Sequence, residues 1–93
     1  MERTEPIRKC TISAHAEFEM RRRGIDETTI RRILERPEQR ETVRPGREVL
    51  QSRIELKGHI YLVRVFVDID CVPPEVVTAY RTSKIEKYWR EET

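Results

Sequence analysis

The first third of the chain carries apolar residues at helical spacing. Ser13 is a good N-cap for a first helix over residues 14–23, and Asp26 is one for a second helix over residues 27–36. Pro37 ends the second helix, because proline lacks an N–H and clashes with the helical turn before it. The link between the two helices is short. This stretch therefore predicts a helical hairpin.

After the second helix, the periodicity of apolar residues changes from helical to alternating. Pro45-Gly46 and Lys57-Gly58-His59 are turn signals that separate the alternating runs. The predicted strands are Gln39–Arg44, Glu48–Leu56, Ile60–Val67 and Val76–Arg81. We therefore predict an α+β fold in which the helical hairpin packs on a four-stranded antiparallel meander sheet. A C-terminal helix completes the order ααββββα.

Alternation along each strand indicates which side chains face the helices, since neighbouring residues point to opposite faces of a sheet. The run over residues 60–67 is apolar on both faces apart from one arginine, which is typical of a central strand. The predicted core joins Ile12, Ala16, Met20, Ile30, Ile33 and Leu34 of the helical region to Val63, Val65, Val77 and Ala79 of the sheet.

Arg64 is the arginine that interrupts the central strand. A charge there must be paired or must face a solvated cleft, because burying it alone costs several kcal/mol. On the predicted register, Arg64 shares the outer sheet face with Thr78 and Tyr80. Gln51 and Arg53 can join them from the preceding strand. Such a polar cluster on a rigid sheet is a sound platform for a site.

Two of these candidates also have a purely structural interpretation. Arg64 could form a cross-strand ion pair with Glu48 or Glu55. His15 lies in the first helical turn, where the free backbone N–H groups favour an anion and disfavour an imidazolium. A neutral histidine at that place could act as a general base, or it could be a half-buried residue that completes the helix start.

The segment VVTAYRTSKIEKYW, residues 76–89, runs from the last strand into a basic helix. Thr82 and Ser83 are the predicted N-cap. The apolar stripe of this helix is Ile85, Tyr88 and Trp89. The cations near the opposite helix face are Arg81, Lys84, Lys87 and Arg90. Hydroxyl groups, a phenol and cations at one strand–helix junction suit the binding of a phosphate.

Length and composition limit the number of domains and the kinds of ligand, but they do not identify a function. A chain of 93 residues supports a single domain, 1–93, whose residues 1–10 we expect to form a flexible lead-in. The net charge of +2 is too small to imply nucleic-acid binding. Four of the 19 basic residues are lysines and 15 are arginines, which favours phosphate and base contacts. Surface ion pairs with the 17 acidic residues explain this excess equally well.

Absent motifs exclude several classes of protein. No apolar run approaches the length of a membrane span and no secretory segment opens the sequence, so we expect a cytoplasmic protein that does not bind membranes. Cys10 and Cys71, even with His15 and His59, lack the spacing of a zinc site, so we expect no metal. No phosphate loop, dinucleotide fingerprint or nucleophile elbow is present, so we expect no cofactor.

Two sequence stretches resemble a known family. HAEFEMRRRGI near the start and VVTAYRTSKIEKYW at the end are similar to domain of unknown function family 4258, and the likeness extends over residues 12–90. That family is grouped with the barnase–EndoU–colicin–RelE-like nuclease fold, which contains many RNA-cleaving toxins. The chain is also more distantly similar to BrnT-type toxins, which share the two-helix, four-strand, one-helix layout.

The resemblance implies a metal-independent endoribonuclease, the toxin of a toxin–antitoxin pair. In that chemistry the ribose 2′-OH attacks the adjacent phosphorus, a base removes its proton, and cations stabilise the phosphorane. The implied catalytic residues are His15, Arg64, Thr78 and Tyr80, and the implied RNA-binding residues are Arg53, Arg81, Ser83, Lys84 and Lys87. The implied partners are RNA, with a possible ribosome association, and a small antitoxin protein.

Two alternatives to a nuclease stay open. The same basic junction, residues 78–90, could bind RNA or an acidic protein without cleaving anything. A purely structural domain also contradicts none of these observations. Fold-level analogy transfers poorly to active sites, because catalytic residues vary widely within a fold.

Overall fold

The computed structural model describes residues 6–91. The elements in chain order are β1 (Thr11–Ile12), α1 (Ala14–Arg22), α2 (Glu27–Glu35), β2 (Gln39–Arg44), β3 (Arg47–Leu56), β4 (His59–Asp68), β5 (Glu75–Thr82) and α3 (Ile85–Tyr88). They form one five-stranded sheet in the order β1-β5-β4-β3-β2. The α+β fold and the helical hairpin are confirmed. The predicted four-stranded antiparallel sheet is wrong. The sheet has five strands and is mixed, because β1 pairs with β5 in parallel.

Side-chain caps fix the starts of the two long helices, as the sequence predicted. Ser13 Oγ accepts a hydrogen bond from Ala16 N at 3.0 Å, and Asp26 Oδ1 accepts one from Thr29 N at 2.8 Å. Each bond satisfies a backbone N–H that has no partner within the helix. Gly24, with a φ of +70°, makes the turn between the helices in the left-handed region that glycine tolerates best.

The additional strand directly follows the segment expected to be a lead-in, residues 1–10. Ile7 N donates to Leu34 O at 2.9 Å, and Thr11 N donates to Pro74 O at 2.9 Å. Ile7 also packs against the core, together with Cys10 and Ile12. The described part of the lead-in is therefore bound to α2, and β1 is bound to the residue before β5. Residues 1–5 lie outside the described residues.

The core lies between the helical hairpin and one face of the sheet, here called the helix face. Its buried members are Ala16, Met20, Ile25, Ile30, Ile33, Leu34, Leu50, Val63, Val65, Val67, Val76 and Ala79. The predicted contact of both helices with Val63, Val65 and Ala79 is confirmed. The prediction that Val77 belongs to the core is wrong, because Val77 is only half-buried while Val76 is fully buried.

A register shift in β5 explains the correction at Val77. Thr78 pairs with Phe66, whereas Val76, two residues earlier, pairs with Val67. Val77 is the extra residue of this bulge. A bulge places two residues of one strand opposite one of the next, so the alternation of faces changes phase there. Val76 therefore points into the core with Val67, and the residues after the bulge keep the predicted phase.

The C-terminal helix is shorter than predicted. It spans only Ile85–Tyr88, its N-cap is Lys84, and no side chain caps it. Thr82 remains in β5, and its hydroxyl accepts a hydrogen bond from Lys84 N at 3.0 Å. Ser83 is therefore not the cap, and Trp89 lies beyond the helix in extended backbone.

The buried core predicts a contrast between two apolar residues of the helices. Leu34 is fully buried, whereas Phe18 on α1 is 58% exposed. Leu34→Ala should destabilise the domain by about 2–5 kcal/mol, because it removes buried methyl groups and leaves a cavity. Phe18→Ala should change the free energy of unfolding by at most about 0.5 kcal/mol. Urea unfolding of both variants checks this, and equal losses would contradict the packing.

Candidate functional site

A row of four polar side chains crosses the sheet on the face opposite the helical hairpin, here called the open face. Gln39, Gln51, Arg64 and Tyr80 come from four successive strands and are direct neighbours in the register: Gln39 opposes Gln51, Gln51 opposes Arg64, and Arg64 opposes Tyr80. Residues that oppose each other across a sheet point to the same face. We call these four residues the polar row.

Arg64 lies at the centre of the polar row and is only 9% exposed. Its Nε donates to Gln51 Oε1 at 2.8 Å, and its Nη1 donates to the Tyr80 hydroxyl at 2.8 Å. The guanidinium carbon lies 4.4 Å from the centre of the Tyr88 ring and 5.4 Å from that of Phe66. Cation–π attraction and two hydrogen bonds therefore hold the charge.

No carboxylate pairs with Arg64 among residues 6–91. Its hydrogen-bond partners, Gln51 and Tyr80, are neutral. The ion pair with Glu48 or Glu55 that the sequence left open does not form in the described structure. Glu48 lies on the helix face and pairs with Arg40, while Glu55 is exposed. The fold thus contains a buried cation that its described residues do not neutralise.

The C-terminal segment, residues 84–91, lies across the polar row. Gln51 Nε2 donates to Tyr88 O at 3.2 Å, and Gln39 Nε2 donates to Arg90 O at 2.6 Å. Arg90 N in turn donates to Gln39 Oε1 at 3.0 Å. The two amides therefore bind the backbone of this segment in the way that a neighbouring strand would. The segment covers the Gln39 and Gln51 end of the row.

The Tyr80 end of the polar row is more open. Tyr80 is half-buried, and its bond to Arg64 is only partly buried, whereas the bond from Arg64 to Gln51 is fully buried. The Tyr80 ring stacks on Phe66 with centroids 6.0 Å apart and meets Tyr88 edge-on at 6.2 Å. Thr78 is half-buried on the same face, opposite Phe66. Solvent reaches the row from this side.

The structure brings together three of the four predicted catalytic residues. Arg64, Thr78 and Tyr80 share the open face on adjacent strands. His15 is exposed at the start of α1, and among the described residues no hydrogen bond or ring contact joins it to the polar row. α1 packs over β5 on the helix face and begins near Val76, whereas Tyr80 points to the open face, so the structure does not bring His15 to the polar row.

The predicted RNA-binding residues are divided between the two sheet faces. Arg81 opposes Val63, which places it on the helix face, and its guanidinium lies 4.5 Å from the centre of the Tyr61 ring. Ser83, Lys84 and Lys87 are exposed around α3. Arg53 is exposed on the open face, where it pairs with Glu38 and stacks 4.1 Å from the centre of the Trp89 ring. The predicted RNA-binding residues therefore do not form one cluster at the strand–helix junction but lie on two separate surfaces.

The end of α1 connects the helices to the polar row. Arg23 Nη1 donates to Ala79 O at 2.9 Å, and its guanidinium lies 5.9 Å from the centre of the Tyr80 ring. Glu19 holds this arginine through an ion pair of 3.0 Å. The hydrogen bond from Arg22, with the nearby positive charges, lowers the pKa of Glu19 below its ordinary value. A carboxylate–arginine pair thus fixes the chain beside Tyr80.

Sequence reasoning missed several participants in this site. The sequence assigns Gln39 only to a strand, Tyr88 only to an apolar helix stripe, and Arg23 only to the end of the first helix. The alternation of β2 and β3 could have placed Gln39 beside Gln51, since both lie in strands joined by a short turn. No local signal indicates that the chain after β5 turns back over the sheet, so the contacts of Tyr88 could not be predicted.

Two kinds of structural feature are not found within residues 6–91. No three His, Cys, Asp or Glu side chains of the described chain cluster in a way that could hold a metal ion. No helix in this range is both long and apolar enough to cross a membrane.

Comparison with known families identifies the chain. A family model described as a domain of unknown function (DUF4258) matches residues 12–81. The chain belongs to this family. The match to DUF4258 ends at Arg81, so it includes the polar row and stops before the C-terminal segment that covers it. Searches of curated proteins and of solved structures returned no match for this DUF4258 chain.

The lowered pKa of Glu19 predicts an acid-dependent contribution to stability. A carboxylate whose pKa is lower in the folded state stabilises the fold above its unfolded pKa, about 4.3, and this contribution is lost as the pH falls through the folded pKa. Glu19→Gln should lower the urea midpoint at pH 7 and flatten its fall between about pH 5 and pH 3. A variant with the parent's pH dependence would contradict the assignment.

Proposed function

We propose that this DUF4258 domain is a metal-independent endoribonuclease whose phosphate site lies at Arg64 and Tyr80. The observation that carries the proposal is the burial of the Arg64 cation, whose hydrogen-bond partners among residues 6–91 are all neutral. Burying a charge without a counter-charge costs several kcal/mol, and a bound phosphodiester would supply the missing anion. The resemblance to RelE-like nucleases and BrnT-type toxins supports the same conclusion.

The hydrogen bonds of Arg64 leave two groups to bind a phosphate. Its Nε and Nη1 are used by Gln51 and Tyr80, while Nη2 has no partner among the described residues. A guanidinium can only donate, so the Tyr80 hydroxyl accepts from it and keeps its own proton to donate. The Tyr80 O–H is therefore a donor at the more open end of the row, and Nη2 of the adjacent guanidinium is a second donor. Both suit phosphate oxygens.

The chemistry proposed here needs only side chains. The ribose 2′-OH attacks the adjacent phosphorus, the O–P bond to the 5′-oxygen breaks, and a 2′,3′-cyclic phosphate forms. Arg64 stabilises the charge on the phosphorane, and Tyr80 orients a phosphate oxygen or donates its proton to the leaving oxygen, with Thr78 beside it. We assign removal of the 2′-OH proton to His15, which lies over the other face of β5, so the RNA must pass around the edge of this strand for His15 and Arg64 to act on the same phosphodiester.

The partners follow from the proposed chemistry. An RNA substrate implies a cytoplasmic site of action and leaves room for association with the ribosome. The toxin interpretation adds a small antitoxin protein that blocks the RNA site.

A second candidate function is RNA binding without cleavage. It is favoured by the exposure of Ser83, Lys84 and Lys87, together with the lack of any contact between His15 and the polar row among the described residues. Exposed cations around a short helix can hold a phosphate backbone with no acid or base nearby. An acidic partner protein would be attracted to the same surface.

The nuclease proposal predicts cleavage that continues in EDTA and leaves 2′,3′-cyclic phosphate ends. His15→Ala and Tyr80→Phe should each slow cleavage by about 10²–10⁴-fold, the usual effect of removing a general base or acid. Arg64→Gln should slow it by about 10²–10³-fold, by analogy with a lost oxyanion donor. Single-turnover cleavage of a labelled RNA measures all three.

Controls for this experiment separate chemistry from folding. Arg32 is an exposed arginine on α2, so Arg32→Gln makes the same charge change away from the open face and should cleave at the parent rate. Circular dichroism of each variant verifies the fold. A parent that cleaves no RNA, with or without ribosomes, refutes the nuclease proposal and leaves the binding function.

The binding surface predicts a dependence on salt that the chain's own lysines can test. Each phosphate contact contributes a slope of about −0.7 to log affinity against log salt for single-stranded RNA. Replacing Lys84 and Lys87 by alanine should flatten the slope by about 1.4. Replacing the other two lysines, Lys9 and Lys57, changes the net charge equally and should leave the slope unchanged. Equal salt slopes for the two double variants would show that RNA does not bind at Lys84 and Lys87.

A further inference from the structure

The orientation of both amides in the polar row is set by Arg64. Since a guanidinium only donates, Gln51 must present its Oε1 to Arg64, and its Nε2 must then point the other way. That nitrogen donates to Gln39 Oε1 at 2.8 Å and to Tyr88 O at 3.2 Å. Gln39 is thereby fixed as well, with its Nε2 directed at Arg90 O. One donor at the centre of the sheet thus determines every amide along the row.

Gln51 is too deeply buried to meet a ligand itself. It is 1% exposed, with Arg64 on one side and Gln39 on the other. It can influence bound RNA only indirectly, through Arg64 or through the C-terminal segment. Its contact with Arg64 holds Nε, one of the three nitrogens of a planar group, so it restricts the rotation of the whole guanidinium plane.

We propose that Gln51 is a positioning residue for the Arg64 phosphate site and that it couples this site to the C-terminal segment. This inference rests on the proposed function, because it assumes that RNA binds at Arg64. The amide oxygen of Gln51 fixes the guanidinium so that Nη1 meets Tyr80 and Nη2 stays available for a phosphate oxygen. The amide nitrogen ties that arrangement to Tyr88 O, and Gln39 extends it to the backbone of Arg90.

Two substitutions of Gln51 disturb this arrangement in different ways. Gln51→Leu removes all three hydrogen bonds of this side chain at similar size, so Arg64 keeps its charge and loses its fixed orientation. Gln51→Glu keeps an acceptor for Arg64 but supplies a carboxylate that neutralises the guanidinium. The introduced carboxylate also faces Gln39 Oε1 and Tyr88 O without a proton to donate, which repels the C-terminal segment.

A double-mutant cycle tests whether Gln51 acts through Arg64. Affinity for a single-stranded ten-nucleotide RNA is measured by fluorescence anisotropy for the parent, Gln51→Leu, Arg64→Met and the double variant. We expect Gln51→Leu to weaken binding about tenfold in the parent and to have no effect in the Arg64→Met background. An equal loss in both backgrounds would overturn the positioning role, since a general structural defect does not depend on Arg64.

The same measurements separate failure of this inference from failure of the proposed site. If Arg64→Met binds RNA as tightly as the parent, or if the parent binds none, the phosphate site itself is wrong. If Arg64→Met weakens binding and Gln51→Leu does not, only the positioning role is wrong. Should Gln51→Leu fail to fold, Gln51→Glu takes its place in the cycle. It should weaken binding more than tenfold, because it cancels the charge, and parent-like affinity would refute the role.

Trp89 reports the coupling to the C-terminal segment. It is the single tryptophan of the chain, and it lies in this segment against Arg53. Gln51→Glu should shift its fluorescence towards that of exposed tryptophan as the segment is released. Glu41→Gln is the matched control, because it breaks the ion pair from Glu41 to Arg90 of the same segment and leaves the amides intact. RNA affinity that falls equally in Glu41→Gln would show that segment docking, and not Gln51, supports the site.

Discussion

The burial of one positive charge in the central strand organises the open face of this domain. Arg64 is held by an amide, a phenol and aromatic rings, all of them neutral. A buried polar group needs every partner that the fold can supply, because an unsatisfied one is costly at low dielectric. The amides of the polar row, the stacked rings and the return of the C-terminal segment all serve this need. The open face is therefore a second, polar core of the domain.

Much of the fold follows from short-range signals in the sequence. Ser13 and Asp26 each bond a backbone N–H three residues later, so local sequence was sufficient to place both helix starts. Strand alternation placed Val63 and Val65 on the core, since a period of two leaves only two choices of face. What local sequence could not supply was β1. That strand has only two residues, and its position depends on Pro74 and Val76 far along the chain.

The candidate site was predictable only where it is built from strand alternation. Arg64, Tyr80 and Gln51 meet because opposing residues share a face, and the sequence shows that periodicity. Arg81 follows Tyr80 in the chain, yet the same alternation turns it to the other face. Two residues adjacent in sequence, Tyr80 and Arg81, thus lie on opposite faces of the sheet. The Tyr88 contacts depend on how the chain returns over the sheet, which no period of residues encodes.

The C-terminal segment has a consequence for the order in which the domain folds. Tyr88 follows Arg64 by 24 residues, so the ring and the charge that it covers meet only through a contact between distant parts of the sequence. Until that contact forms, Arg64 must stay hydrated, because a charge is costly to bury without its partners. Docking of the C-terminal segment is thus the step that removes water from the central strand.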